Sequence, residues 1–197
     1  MLSEMEPADG KAAVRTARAV AWSEVTGRPA EADMPDRFSE KKGVFVTISR
    51  YPSGDLRGCI GYPEPIFPLK EALRMSTTAA CHDPRFKDLT KDELDNCTLE
   101  VTILTVPERI ENNGHQDLLS KIVIGQDGLI LELKGRRGLL LPQVASEWGW
   151  DAEEFLQHLS NKAGLPIDAW KHPDAIIERF QGEIFGEVSP NGDIVRK

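Results

Sequence analysis

Hydrophobic and polar residues alternate along several short stretches of the chain, a pattern typical of strands with one face on a core. The alternation is clearest over residues 44–50, 56–61 and 98–106. The five residues 51–55 between the first two stretches include Pro and Gly and have the length of a hairpin turn, so these strands are predicted to pair antiparallel. A looser alternation over residues 175–188 predicts the last strand.

Further strands are predicted in the second half of the chain. Residues 122–124 are apolar, and residues 129–133 are apolar except for Glu132. The two stretches flank a Gln-Asp-Gly segment at 126–128, whose Asp-Gly pair is typical of a hairpin turn. A short strand is predicted over residues 139–141.

Apolar residues at helical spacing, together with start and stop residues, predict the helices. Pro68 and Pro142 suit the first position of a helix, and Thr90 and Asp151 suit the N-cap. The predicted helices cover residues 11–26, 68–81, 142–148 and 151–164, with a short one after residue 90. Because strands outnumber helices and hairpin-like connections dominate, the chain is predicted to be an α+β protein. Its sheet is expected to be mainly antiparallel or mixed and flanked by helices.

Composition narrows the class of protein. Of the 197 residues, 40% are hydrophobic and 28% are charged, as in ordinary globular proteins. The net charge of −8 disfavours nucleic-acid binding by the surface as a whole but does not exclude a local basic patch. No apolar run reaches the roughly 18 residues of a membrane helix. Residues 1–10 are acidic and lack the apolar segment of a secretory signal. Three cysteines cannot all pair within one chain, which favours reduced thiols in a cytoplasmic protein. No two of them have the C-x-x-C spacing of a structural zinc site, and the sequence predicts neither a metal nor a cofactor.

The strand over residues 56–61, Leu-Arg-Gly-Cys-Ile-Gly, carries an unusual set of residues. In a regular strand Arg57, Cys59 and Gly61 share one face. A guanidinium beside a thiol favours the thiolate, which is the nucleophilic form, so Arg57 and Cys59 are candidate catalytic residues. Glycine in a strand often marks the close approach of a backbone or ligand, which makes Gly58 and Gly61 candidate ligand-binding positions. A small, buried cysteine accounts for the same pattern without chemistry.

A nucleophilic cysteine usually needs a base, and the local sequence does not select one. The histidines His82, His115 and His158 are all candidates, of which His82 lies at a predicted helix exit. Glu100 lies in the middle of a predicted strand, opposite its apolar face, and is a second candidate for moving protons.

Asp83 and Arg85 lie in the loop that follows the helix predicted over residues 68–81. Such loops often carry functional side chains. Arg85 is predicted either to pair with Asp83 or to bind an anion, so both are candidate ligand-binding residues. Glu100 is predicted to pair with Arg57 or Arg85.

The hexapeptide at 56–61 resembles the signature of the AMMECR-type domain family. Four other segments resemble the family in the same order along the chain. They are Gly43-Val44-Phe45-Val46-Thr47, Asp83-Pro84-Arg85-Phe86, Gly138-Leu139-Leu140-Leu141-Pro142-Gln143-Val144 and Lys162-Ala163-Gly164-Leu165. The resemblance covers residues 8–190, which are expected to form a single domain of this type.

The resemblance implies two interleaved subdomains, the smaller over residues 62–106, with a cleft between them that the signature strand lines. It implies no activity by itself. Gene association links the family to Memo-like and radical SAM proteins, which are therefore candidate partners. Relatives often carry a cysteine two residues before the lysine of the Lys-Ala-Gly-Leu motif, where this chain has Ser160, so a mechanism with a second thiol there is disfavoured.

Two functions from different classes follow. In the first, the protein is a cysteine-dependent enzyme of acyl-type transfer or hydrolysis: Cys59 is the nucleophile, Arg57 stabilises the thiolate or a developing anion, and Glu100 or His82 moves protons. In the second, the cleft binds a small molecule or other anionic ligand, a nucleic acid or a partner protein, and the cysteine only packs. A purely structural alternative assigns the glycines to close packing between the subdomains.

Overall fold

The computed structural model of the protein describes residues 5–30, 32 and 34–197, so the expectation for residues 1–10 lies partly outside the described residues. In chain order the helices and strands are α1 (Pro7–Thr26), β1 (Val44–Arg50), β2 (Leu56–Tyr62), α2 (Leu69–Cys81), α3 (Lys91–Leu94), β3 (Cys97–Leu104), β4 (Glu108–Arg109), α4 (His115–Ser120), β5 (Gly128–Leu133), β6 (Arg136–Leu140), α5 (Pro142–Trp148), α6 (Ala152–Lys162), β7 (Ile176–Phe180), β8 (Gly182–Glu187) and β9 (Ile194–Arg196). No helix in this part of the chain is both long and apolar enough to cross a membrane.

The described chain divides into two compact units. Unit one contains residues 5–105 and 183–197, and unit two is formed by the intervening residues 106–182. Unit one is therefore built from two separate segments of the chain. Residues 62–106, the predicted smaller subdomain, lie in unit one except for Val106.

A five-stranded sheet with the order β2-β1-β3-β8-β9 organises unit one. Strand β1 pairs antiparallel with both β2 and β3. Val44, Val46 and Ile48 of β1 are fully buried, and the residues between them, Phe45 and Thr47, are half-buried on the opposite face. Helices α1 and α2 cover the apolar face, with α1 against β3 and α2 against β1 and β2. The strands therefore present one face to the core and leave a second face for polar side chains.

Helices α1 and α2 pack against each other, and α1 carries a stripe of small buried side chains. Ala13, Ala17 and Ala21 of α1 recur every fourth residue and are fully buried. Residues four apart lie close to one face of a helix, so these methyl groups form a buried stripe along α1. The helix ends at Gly27, which adopts a left-handed conformation with φ of 67° and donates its N–H to the carbonyl of Ser23.

Unit two contains a four-stranded antiparallel sheet with the order β4-β7-β5-β6. Helix α6 packs on β5 and β6 and buries Phe155, Leu156 and Leu159. Asp151 caps this helix: its carboxylate accepts the N–H of Glu154 at 2.9 Å, and the Glu154 carboxylate accepts the N–H of Asp151 at 3.0 Å. The predicted cap and the predicted α+β class with antiparallel pairing are both confirmed.

Two local predictions differ from the structure, and the last strand, β9, was not predicted. Residues 122–124 form no strand, because the buried Asp127 carboxylate accepts the N–H of Val123 at 2.9 Å and folds the segment into a turn; β5 pairs instead with β6 and β7. The single strand predicted over residues 175–188 is two strands, β7 and β8, in different sheets. Strand β9 has three residues and is too short to show a period in the sequence.

Candidate functional site

A β-bulge interrupts the signature strand at Arg57. The β1–β2 register is regular from Val44 with Tyr62 to Ile48 with Gly58, and the next pair is Ser49 with Leu56. Arg57 therefore has no opposite residue on β1. A bulge of this kind breaks the alternation of side chains along its strand. The prediction that Arg57 and Cys59 share one face assumed a regular strand, and the bulge removes that assumption.

The Arg57 side chain is held by groups other than the thiol. Only 2% of the residue is exposed. Its Nε and Nη2 donate to the two carboxylate oxygens of Glu93, each at 2.9 Å, and Nη2 also donates to the carbonyl of Lys87 at 2.8 Å. The ring of Phe86 lies 5.6 Å from the guanidinium carbon. This arginine therefore anchors the segment between α2 and α3 to strand β2.

The Arg57–Glu93 pair also shifts the titration of both groups. The hydrogen bond to Glu93 raises the pKa of Arg57. Hydrogen bonding from Arg57 lowers the pKa of Glu93 to about 2, so Glu93 is ionised at neutral pH. Glu93 is at the same time the N3 residue of the capping box that begins at Thr90, which confirms the predicted cap and ties the ion pair to the start of α3.

Cys59 is partly exposed, and three groups hold it in place. The hydroxyl of Thr47 donates to its sulfur with an Oγ1–Sγ distance of 3.2 Å. The backbone N–H of Cys59 donates to Asp83 Oδ2 at 2.9 Å, and its carbonyl accepts from Arg85 Nη2 at 3.1 Å. The structure therefore brings the predicted residues Cys59, Asp83 and Arg85 together.

Asp83 and Arg85 form the predicted ion pair. Asp83 is fully buried and accepts from Arg85 Nε at 2.9 Å and from Arg85 Nη2 at 2.6 Å. These hydrogen bonds hold the pKa of Asp83 well below its usual range. They also raise the pKa of Arg85, to which the negative charge of an ionised Cys59 adds a smaller effect. Because 54% of the Arg85 side chain is exposed, a fixed cation faces solvent beside Cys59.

Glu100 lies on the same sheet face as Cys59. Thr47 of β1 pairs with Cys59 on one side and with Glu100 of β3 on the other, and paired residues of antiparallel strands point to the same face. The Glu100 carboxylate accepts from Nζ of Lys197 at 2.7 Å. The predicted pairing of Glu100 with an arginine is therefore wrong, since both candidate arginines are held by other carboxylates.

The histidines have other partners. Nδ1 of His82 lies 2.8 Å from Asp88 Oδ1, and its Nε2 lies 3.2 Å from Glu24 Oε1. The hydrogen bond to Asp88, followed by the one to Glu24, raises the pKa of His82. Across the described residues, no hydrogen bond joins His82 to Cys59. His115 and His158 lie in unit two, where His158 stacks on an indole ring at 3.7 Å.

The two glycines of the signature strand are sites of close packing. A Cβ on Gly58 would lie 2.2 Å from the carbonyl oxygen of Ala80, so the end of α2 rests directly on this residue. A Cβ on Gly61 would lie 2.4 Å from the ring of Phe45, which covers it. Both contacts lie within unit one. The absence of a side chain at these two positions therefore lets α2 and the ring of Phe45 pack against β2.

The other thiols are buried. Cys81 and Cys97 are at most 2% exposed, and burial raises the pKa of both, that of Cys81 to about 12. Ser160, at the position of the relatives' second cysteine, is buried in α6 and donates to the carbonyl of Leu156 at 2.9 Å. Within the described ranges, no cluster of three or more His, Cys, Asp or Glu side chains has the arrangement of a metal site.

Sequence reasoning missed three residues of this region. Thr47 could have been found by counting the register of the predicted hairpin, which sets it beside Cys59. Glu93 was recognised only as a cap, and nothing in the sequence links it to Arg57. Lys197 reaches Glu100 through the pairing of β8 with β9, which has no local sequence signal.

Comparison with known proteins agrees with this fold. Protein MJ0810 of Methanocaldococcus jannaschii is 50% identical over 191 residues, which cover 96% of this chain and 95% of the relative. Protein TK0174 of Thermococcus kodakarensis is 49% identical over 169 residues, covering 84% and 82%. The crystal structure of the uncharacterized protein PH0010 from Pyrococcus horikoshii superposes with a TM-score of 0.76 at 46% identity, covering 98% of both chains. The AMMECR1 family model matches residues 14–185, and the chain therefore belongs to the AMMECR1 family.

Proposed function

We propose that the protein is a thiol-dependent enzyme that transfers or hydrolyses an acyl group, with Cys59 as its nucleophile. The hydrogen bond from Thr47 Oγ1 to the Cys59 sulfur, on a partly exposed strand, is the observation that carries this proposal. A hydroxyl that donates to sulfur stabilises the thiolate relative to the thiol. Arg85 donates to the Cys59 carbonyl, whereas Arg57 is held by Glu93, so Arg85 takes the proposed role of stabilising negative charge in the reaction.

The proposed reaction proceeds through a thioester. The Cys59 thiolate attacks the acyl carbon, the C–S bond forms, and the bond to the leaving group breaks. Water then attacks the thioester, which releases a carboxylic acid and restores the thiol. Glu100 is the proposed proton carrier, because it lies on the same face one strand beyond Thr47. Because β1 separates Glu100 from Cys59 by about 9–10 Å, the protons travel through bridging water. Glu100 receives the thiol proton, passes it to the leaving group, receives a proton from the attacking water and returns it to the sulfur.

An acyl-transfer assay with p-nitrophenyl acetate tests this proposal. We expect a burst of one p-nitrophenolate per chain, with the acetyl group mapped to Cys59 by mass spectrometry. Cys59→Ser should abolish the acetylated peptide. Thr47→Val, which keeps the shape and removes the hydroxyl, should slow the burst about three- to tenfold, as expected for the loss of a hydrogen bond worth about 1 kcal/mol.

The matched control is Thr102→Val, because Thr102 of β3 lies on the same sheet face opposite Phe45. It should leave the burst unchanged. If the folded wild-type protein is not acetylated, or if the Cys59→Ser variant is acetylated to the same extent, Cys59 is not the nucleophile.

Binding of an anionic ligand without chemistry is a second candidate, favoured by the fixed and half-exposed guanidinium of Arg85. Calorimetric titration with inorganic phosphate separates the two functions. If the site only binds, Arg85→Ala should weaken phosphate binding at least fivefold and Cys59→Ala should leave it unchanged. Phosphate affinity that is equal in the wild type and the Arg85→Ala variant would exclude this candidate.

A further inference from the structure

Unit one contains a cavity of about 680 Å³ that involves none of the residues around Cys59. Its walls are α1, the turn that joins β8 to β9, and the end of α3. Cavities of roughly 300–1,000 Å³ are typical of small-molecule sites. The size of this cavity therefore suits a compact organic ligand.

One face of α1 lines the cavity with three basic side chains and one indole ring. Lys11, Arg15, Arg18 and Trp22 all border it. Their spacing of four, three and four residues places them along one side of a helix. The cavity thus has cations along one wall and an indole at the end of the row.

Arg18 forms a rigid part of this wall and is not available to a ligand. Its Nε donates to Glu187 at 2.9 Å, and its Nη2 donates to the second oxygen of the same carboxylate. Its Nη1 donates to the carbonyl of Leu94 at 3.0 Å, and its Nη2 to that of Cys97 at 2.7 Å. The Glu187 carboxylate also accepts the N–H of Leu99 at 3.0 Å. This buried network joins α1, β3 and β8, so the cavity is preformed.

Lys11 and Arg15 are exposed, and no carboxylate in the described part of the chain forms an ion pair with either. Of the acidic residues that border the cavity, Glu187 is neutralised by Arg18 and Asp95 by Lys91. Asp193 contributes the one remaining negative charge among the described lining residues. Among the described residues, two cations without a carboxylate partner face one carboxylate, which makes this a positive site on a protein of net charge −8.

We propose that this cavity binds a small organic anion with a flat apolar group. Lys11 and Arg15 bind the anionic group through charge-assisted hydrogen bonds. Trp22, which is half-buried and packs on the core of unit one, contacts the flat group with its ring face. The proposal concerns a site separate from Cys59, so neither the acyl-transfer result nor the phosphate result at Arg85 bears on it.

Calorimetric titration with naphthalene sulfonate tests the proposal. We expect saturable binding of one molecule per chain. Naphthalene sulfonamide, which has the same rings without the charge, should bind at least tenfold more weakly. Inorganic sulfate, which has the charge without the rings, should compete only at concentrations at least tenfold higher than naphthalene sulfonate.

Paired variants locate the binding. The double variant Lys11→Ala/Arg15→Ala should weaken naphthalene sulfonate binding at least tenfold. Its matched control is Lys70→Ala/Arg74→Ala, which removes two exposed cations four residues apart on α2 and should bind like the wild type. Thermal unfolding of both variants verifies that they are folded. Absence of saturable binding, equal loss in both double variants, or equal affinity for the sulfonamide or for sulfate would overturn the proposal.

Discussion

The buried carboxylate of Asp83 accepts the backbone N–H of Cys59 at 2.9 Å. A residue in the loop after α2 thereby fixes the backbone of the cysteine in the signature strand. The same carboxylate holds Arg85, whose guanidinium reaches back to the Cys59 carbonyl at 3.1 Å. Two separate motifs of the sequence, the hexapeptide at 56–61 and the Asp-Pro-Arg-Phe segment at 83–86, are therefore parts of one hydrogen-bonded structure.

Asp83→Asn should destabilise the protein, because the amide lacks the charge that Arg85 and two backbone N–H groups require. Hydrogen bonds to charged groups contribute about 1.5–3 kcal/mol each, so we expect a loss of at least about 2 kcal/mol in the free energy of unfolding. Urea unfolding followed by circular dichroism measures it. Asp88→Asn, at an exposed carboxylate near the same loop, is the control and should change stability by less than about 1 kcal/mol. An unchanged unfolding midpoint in Asp83→Asn would contradict the structural role.

Arg57→Met should cost stability without affecting the reactivity of Cys59. Removing one partner of a buried ion pair typically costs about 3–5 kcal/mol, and the partial exposure of Glu93 places our expectation near 3 kcal/mol. Iodoacetamide should alkylate Cys59 at the wild-type rate in the folded variant, because Arg57 contacts Glu93 and not the sulfur.

Arg50→Met is the control for this variant. Arg50 approaches the same Glu93 at 3.5 Å but is about half exposed, so its loss should cost less than about 1 kcal/mol. If Arg57→Met slowed alkylation tenfold with little loss of stability, Arg57 would act on the thiol after all.

The free energy of unfolding should depend on pH through the ionisation of Glu93. Its pKa in the folded protein is about 2, against an ordinary value of 4.5. Because the folded value is the lower one, the contribution to stability is complete above about pH 5 and is lost as the pH falls from about 5 to about 2. Urea unfolding midpoints measured over this range should therefore fall more steeply for the wild type than for Arg57→Met. Parallel curves for the two proteins would show that the ion pair is not the source of the acid sensitivity.

Gly58→Ala should destabilise unit one. The added Cβ would lie 2.2 Å from the Ala80 carbonyl oxygen, and this backbone atom can move only if α2 shifts on the sheet. Overpacking of this kind typically costs about 1–3 kcal/mol. Thermal unfolding measures the change, with Leu56→Ala on the exposed start of the same strand as a milder control. A melting temperature within two degrees of the wild type (about 0.8 kcal/mol or less) would show that α2 can shift to accommodate the methyl group.

Local sequence signals predicted most of the elements. The alternation over residues 44–50 and 56–61 predicted β1 and β2 and their antiparallel pairing, because a period of two and a turn of hairpin length are properties of contiguous residues. The capping boxes at Thr90 and Asp151 were recognised for the same reason. The Asp83–Arg85 ion pair could also be predicted from the sequence, because its two members are only two residues apart.

The sequence by itself therefore determined the α+β class, the family signature and the presence of a cysteine beside an arginine. Only the tertiary structure decided that the arginine in contact with Cys59 is Arg85 and not Arg57. A bulge is a property of the register between two strands, and the bulge at Arg57 directs its side chain to Glu93, 36 residues away. The contacts of Cys59 with Thr47, Asp83 and Arg85 depend on how β1 and the loop after α2 meet the signature strand. Such contacts join residues far apart in the chain, and no local period or spacing encodes them.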